Sequence, residues 1–169
     1  MRKKIPEKSR QAEIAFRKHD HRRCQRQLLS AATRVCAERK LRLTSRQLQV
    51  LEILLASHHP VGAYDILAEL NRSAGHDQIA PPIVYRALEF LMTEGLIHRI
   101  ESRNAFISCV HPGHCCGARF LICRDCDQVA ELEGRDRGLL AAADSLGFAV
   151  DHSMVEITGI CAECQKHAE

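Results

Sequence analysis

Cys123-x-x-Cys126 and Cys161-x-x-Cys164 are the residues best placed to do chemistry. Two residues between cysteines let both thiolates reach one ion from a tight turn. Two such knuckles complete a tetrahedral four-sulfur site of the kind that holds structural zinc. The 34 residues between the knuckles exceed a simple zinc ribbon and must contain further structure. The competing chemistry is a thiol oxidoreductase using a Cys-x-x-Cys pair. Such a redox motif should open a helix after a strand in a larger α/β sheet, whereas each pair here sits at a strand end in a short segment.

A second constellation is looser: His98, Cys109, His111, His114, Cys115, Cys116, Glu131 and His152. Mixed N/S/O ligation with at least one thiolate favours zinc over manganese or magnesium. Taken singly, each of these residues reads as a surface histidine or a small core cysteine. Cys36 falls on an apolar helix face and reads as core. His19, His21 and Cys24 read as solvated residues of a basic arm, with a metal site as the alternative. His58, His59 and His76 read as loop residues and His167 as tail.

The elements that must position these residues follow from apolar spacing. A helix is expected from Ser30 to about Lys40, with Ala31, Val35 and the Cys36/Ala37 pair on one face. Thr44 caps a second helix carrying Leu48, Leu51, Leu54 and Leu55, which His58-His59-Pro60 ends. A third spans about Ala63 to Arg72. A fourth, Pro81–Glu94, starts on two prolines, buries Val84, Ala87, Leu88 and Leu91, and stops at Gly95. Strands over Leu96–Ile100 and Ala105–Cys109 follow. Helices and then a β-hairpin is the order of a winged helix-turn-helix. Beyond a Gly/His/Cys linker come strands at Arg119–Ile122 and Val129–Glu133, a helix over about Arg135–Leu146, and a strand over Phe148–Ile157.

The fold expected is therefore α+β. A basic N-terminal arm covers 1–27, a winged-helix DNA-binding domain 28–110, a hinge linker 111–117, and a small α/β dimerisation and metal-binding domain 118–169. The last has about 50 residues, too few for a comfortable core, so a metal or a partner subunit should support it.

Composition agrees. Of 169 residues, 46% are hydrophobic and 27% charged, a globular balance. No run approaches the length of a membrane helix, and the first 20 residues lack a signal-peptide core, so a cytoplasmic protein is expected. Nine cysteines in a reducing compartment favour metal over disulfides, and ten histidines strengthen that reading. With no Trp and seven aromatic residues, a stacking surface for single-stranded nucleic acid is disfavoured. Residues 1–46 hold 15 Lys/Arg against 4 Asp/Glu, while the rest is acidic, so a polyanion such as nucleic acid is the expected partner. The helix at Pro81–Glu94 would enter the major groove. Tyr85 and Arg86 sit near its N-terminal end, Tyr64 lies on the helix before, and Arg42 and Arg46 are placed for phosphate contact. The bland alternative has Tyr64 and Tyr85 as packing residues and Arg86 solvated. A zinc-stabilised protein-interaction module that ignores DNA is a further alternative.

Over residues 30–165 the chain resembles the Fur family of metal-sensing repressors. The resemblance rests on Leu43-Thr44-Ser45-Arg46-Gln47, Ala63-Tyr64-Asp65-Ile66-Leu67, Pro81-Pro82-Ile83-Val84-Tyr85-Arg86-Ala87-Leu88, Phe120-Leu121-Ile122-Cys123-Arg124-Asp125-Cys126 and the terminal Cys161-x-x-Cys164. It is most similar to the zinc-responsive members, through Ala-x-x-Val-Cys-Ala-Glu-Arg before the Leu-Thr motif and His98-x-x-Glu-Ser-x-Asn-x-x-x-x-Cys109. The resemblance implies a homodimer that binds double-stranded operator DNA when zinc-loaded and represses zinc uptake genes. It implies no enzymatic activity, small-molecule substrate or membrane partner. It also implies two zinc ions per chain. Cys123, Cys126, Cys161 and Cys164 would hold the structural ion, and His98, Cys109, a linker histidine and Glu131 the regulatory one. Tyr64 and Arg86 match base-contacting positions. Sensing of iron, manganese or peroxide is the alternative within the family. Two features depart from its pattern. Cys116 stands where a histidine is expected seven residues before Cys123, so His114 is taken as the linker ligand, with Cys116 and His111 as alternatives. The basic arm is extra.

Overall fold

A computed structural model describes residues 15–16, 19–75, 78–113, 117–132 and 136–167. They form two compact units, one within His19–His114 and one that groups residues 15–16 with those of Cys115–Glu169. His76, His114, Cys115 and Cys116 lie outside the described residues.

The first unit opens with α1 (His21–Glu38). The Asp20 carboxylate accepts the Arg23 N–H at 3.1 Å and caps it. The helix starts nine residues before the expected Ser30, so residues 21–27, read as arm, belong to it. Its buried face is Leu28, Ala32 and Cys36, with Ala37 exposed. Half-buried Cys24 continues that four-residue spacing one step earlier.

Thr44 and Gln47 form a reciprocal capping box at the start of α2 (Ser45–Leu55). Val50, Leu51, Leu54 and Leu55 are buried there. α3 (Ala63–Ser73) buries Ile66 and Leu70. α4 (Pro81–Thr93) buries Val84, Ala87, Leu88 and Leu91, the expected stripe. Gly95 ends it at φ 64°, a conformation that favours glycine. These faces enclose one core with Leu96 and Ile97.

The wing is β1 (Ile97–Ile100) and β2 (Ala105–Ser108), antiparallel with His98 opposite Ile107. Val61 and Phe106 exchange backbone hydrogen bonds of 2.8 and 2.9 Å, fastening the α2–α3 turn to the wing. The Arg39 guanidinium donates to the Glu94 carboxylate at 2.8 Å and to its carbonyl at 2.9 Å, clasping the ends of α1 and α4.

In the second unit β3 (Ala118–Cys123) lies between β4 (Val129–Leu132) and β5 (Met154–Gly159). The β3–β4 pair is antiparallel and the β3–β5 pair parallel. A parallel partner needs a crossover, which α5 (Arg137–Ser145) supplies. Phe120 and Ile122 are buried. The strand expected over Phe148–Ile157 begins instead at Met154. β5 matches all six residues of β3, Ala118 to Cys123, so residues 148–153 lie outside that ladder. Leu139, Leu146 and Phe148 are exposed, leaving α5 and the turn after it with an apolar surface. α6 (Ala162–Gln165) follows Cys161.

Candidate metal centres and nucleic-acid surface

The four knuckle cysteines come together. Cys123 ends β3, and Cys126 lies in the turn before β4. Asp127 there takes φ 53°, and its N–H returns to the Cys123 carbonyl at 2.9 Å. Cys161 and Cys164 flank the start of α6. All four sulfurs lie within 4.8 Å of one another, and Cys126 and Cys161 are 3.9 Å apart. Ligands at 2.3 Å around a tetrahedral ion stand about 3.8 Å from each other. Burial pushes the Cys123 thiol up, but N–H groups of Cys161, Cys126 and Asp125 donating to its sulfur pull it down to about 6. A hydrogen bond with Cys161, then burial, pushes the Cys164 thiol up. Burial raises Cys126. Four sulfurs at this spacing form a donor set that fits zinc.

His98 on β1 and Cys109 just after β2 offer donor atoms within 4.8 Å of each other on the wing. Cys109 is buried, and its sulfur accepts the His111 N–H at 3.3 Å. Its own N–H reaches the Leu96 carbonyl at 2.9 Å, which holds this residue after the strand ends. Glu131 belongs to the other unit, on β4 opposite Phe120. His152 is exposed, in the segment before β5.

A third cluster joins residues that are distant in sequence. His19, His21, Cys24 and His58 place one donor atom each within 4.8 Å of one another. In sequence His19, His21 and Cys24 stand together, while His58 reads as a loop residue. Burial first, then the neighbouring His21, His19 and His59, lower the His58 imidazole to about 4. The H-x-H-x-x-C run and the His-His pair after α2 were the signals available, and no sequence periodicity connects them.

On α4, Tyr85 and Arg86 are exposed near the N-terminal end, and Tyr64 on α3 is 74% exposed. Tyr85 is 48% exposed, so it is the more packed of the two. Tyr64 and Tyr85 line one groove with Arg99 and Asn104. Arg42 is exposed ahead of α2, while Arg46 donates to Gln49 Oε1 at 2.8 Å. Among the described residues no helix is long and apolar enough to cross a membrane.

A winged-helix unit followed by a small sheet unit built around two cysteine knuckles defines a class, and sequence comparison agrees. Residues 38–158 match the ferric uptake regulator family, and the chain belongs to that family. Its likeness runs to zinc uptake regulators. It is 38% identical to the zinc uptake regulation protein of Escherichia coli (strain K12) over 143 residues, 82% of this chain and 81% of that protein. Holo XcZur matches with a TM-score of 0.74 and 42% identity, covering 83% of this chain and 98% of that one. A zinc uptake regulator complexed with zinc and DNA matches with a TM-score of 0.76 and 33% identity, covering 85% and 96%.

Proposed function

We propose that this chain is a zinc-responsive transcriptional repressor that binds operator DNA as a zinc-loaded homodimer and represses zinc uptake genes. The observation that carries this reading is its likeness, over most of both chains, to a zinc uptake regulator solved with zinc and DNA. The family is one of transcription regulators, so the chain acts as a regulator and not as an enzyme. The cytoplasm, where operator DNA is found, is its place of action.

One zinc serves structure, on Cys123, Cys126, Cys161 and Cys164. A second carries the signal, on His98, Cys109, His114 and Glu131. The 28–110 winged-helix domain reads DNA, and the 118–169 domain pairs with a second copy. The exposed Leu139, Leu146 and Phe148 supply apolar surface for that pairing. Recognition helices of the two copies meet successive half-sites of a pseudopalindrome. Arg86 addresses a base edge, Tyr64 and Tyr85 flank it, and Arg42 and Arg46 meet phosphates.

The 111–117 segment acts as the hinge. Zinc that draws ligands from both sides of it favours one spacing of the two recognition helices. It acts through its differential affinity for the two arrangements. Turning a mostly open population into a mostly closed one takes about 5 kcal/mol. A multi-ligand zinc site supplies that from a gross binding energy of about 10 kcal/mol or more.

Fluorescence anisotropy on DNA from a zinc-importer promoter tests this, with free zinc buffered and iron(II) and manganese(II) run in parallel. Sharp binding at very low free zinc, with little response to the other metals, is expected. Binding that ignores zinc, or follows another metal, overturns the assignment of the signal.

A further inference from the structure

We propose that His19, His21, Cys24 and His58 form a further zinc site, apart from the structural and regulatory ions, that ties the start of α1 to the turn between α2 and α3. Four donors of zinc's preferred types converge within 4.8 Å. The chain sets them there by ordinary local means. Asp20 caps α1, which fixes His21 at its first position. Cys24 is then three residues on and shares a helix face with His21. His19, just ahead of the cap, reaches His58, with the two Nε2 atoms 3.2 Å apart. Two nitrogens bound to one tetrahedral zinc at 2.0–2.1 Å stand about 3.4 Å apart.

The orientation of His21 is the second sign. Its Nε2 lies 2.8 Å from the Ala56 carbonyl oxygen and 3.1 Å from that of Leu55. Carbonyl oxygens only accept, so Nε2 is the donor there, which leaves Nδ1 as the nitrogen that a metal would take. A ligating histidine whose other ring N–H is held by a backbone carbonyl is the usual supporting arrangement of a zinc site. The rings of His19, His21 and His58 pack with centroids 4.9 to 5.6 Å apart, edge-on or tilted rather than stacked, as rings converging on one point do. Three imidazoles and one thiolate leave a zinc complex with a single positive charge.

The consequence is mechanical. Val61, three residues beyond His58, is bonded to Phe106 of the wing, and Tyr64 lies in the first turn of α3. A metal here holds α1 to the segment that leads into the DNA-facing residues. It is independent of how His98 and Cys109 carry the signal, and its test does not read DNA binding.

Two measurements on the full chain decide it. In native mass spectrometry at buffered free zinc, the Cys24→Ser/His58→Gln double variant should bind one zinc fewer than the parent. In the parent itself, zinc sulfate should slow alkylation of Cys24 by N-ethylmaleimide at least about tenfold, because a metal-held thiolate is not a free nucleophile. Peptide mapping assigns the modified cysteine. The second measurement needs no variant to fold. An unchanged zinc count in a folded double variant, or equal alkylation of Cys24 with and without zinc, overturns the proposal.

Discussion

The backbone N–H of Cys161 donates to the sulfur of Cys123 across 3.3 Å. The first residue of the second knuckle thus orients the last residue of β3, and it favours the thiolate that a metal requires. The β3–β5 pairing delivers this contact, since Cys123 lies opposite Gly159 at the end of the ladder. Sheet and metal site therefore support each other.

Replacing one knuckle cysteine should show that dependence. Cys126→Ser is expected to lose the structural zinc and unfold the second unit, because ligand loss removes folding energy directly. The helices of the first unit should persist. Hydrogen exchange would read this as lost protection in β3 with α2 and α4 still protected. A variant that keeps both its zinc and its β3 protection would contradict the four-cysteine assignment.

His98→Ala and Cys109→Ala should separate sensing from folding. Both variants are expected to keep the helical circular dichroism of the parent, while their DNA affinity no longer rises with zinc. Retained zinc-dependent binding by either would remove that residue from the regulatory set.

Arg86→Ala should weaken operator binding by about 1–3 kcal/mol, concentrated at one base pair of each half-site. Arg42→Ala should weaken binding on all sequences alike and lower the salt dependence by about one phosphate contact. Anisotropy titrations over a salt series, on operator and scrambled DNA, distinguish the two. A uniform loss from Arg86→Ala would make it a phosphate contact.

Thr44→Ala removes one half of the capping box and should cost about 1 kcal/mol of stability. The urea midpoint of the first unit is the measurement, and an unchanged midpoint would mean water caps the helix equally well.

The parts of this fold legible in sequence were those encoded over short distances. α4 carries its own proline start, buried stripe and glycine stop, and it forms as expected over Pro81–Thr93. The cysteine knuckles are local too, with two ligands in each four-residue span. What needed the fold was pairing between distant segments. The alternation of 148–157 resembles a strand, yet β3 has only six residues to offer and β5 uses them all. The early start of α1 was masked by its arginines, although Cys24, Leu28, Ala32 and Cys36 mark its inner face every four residues. His58 joins His19 only because α2 turns the chain back, 39 residues later.

The spacing of the knuckles also has a consequence for the newly made chain. Cys161 follows Cys123 by 38 residues. At ribosomal elongation rates of 5–20 residues per second, that interval lasts about 2–8 s. For those seconds Cys123 and Cys126 are a dithiol short of two ligands, on a strand whose β5 side is still open. Zinc supply competes with oxidation during synthesis, before the protein has any operator to bind.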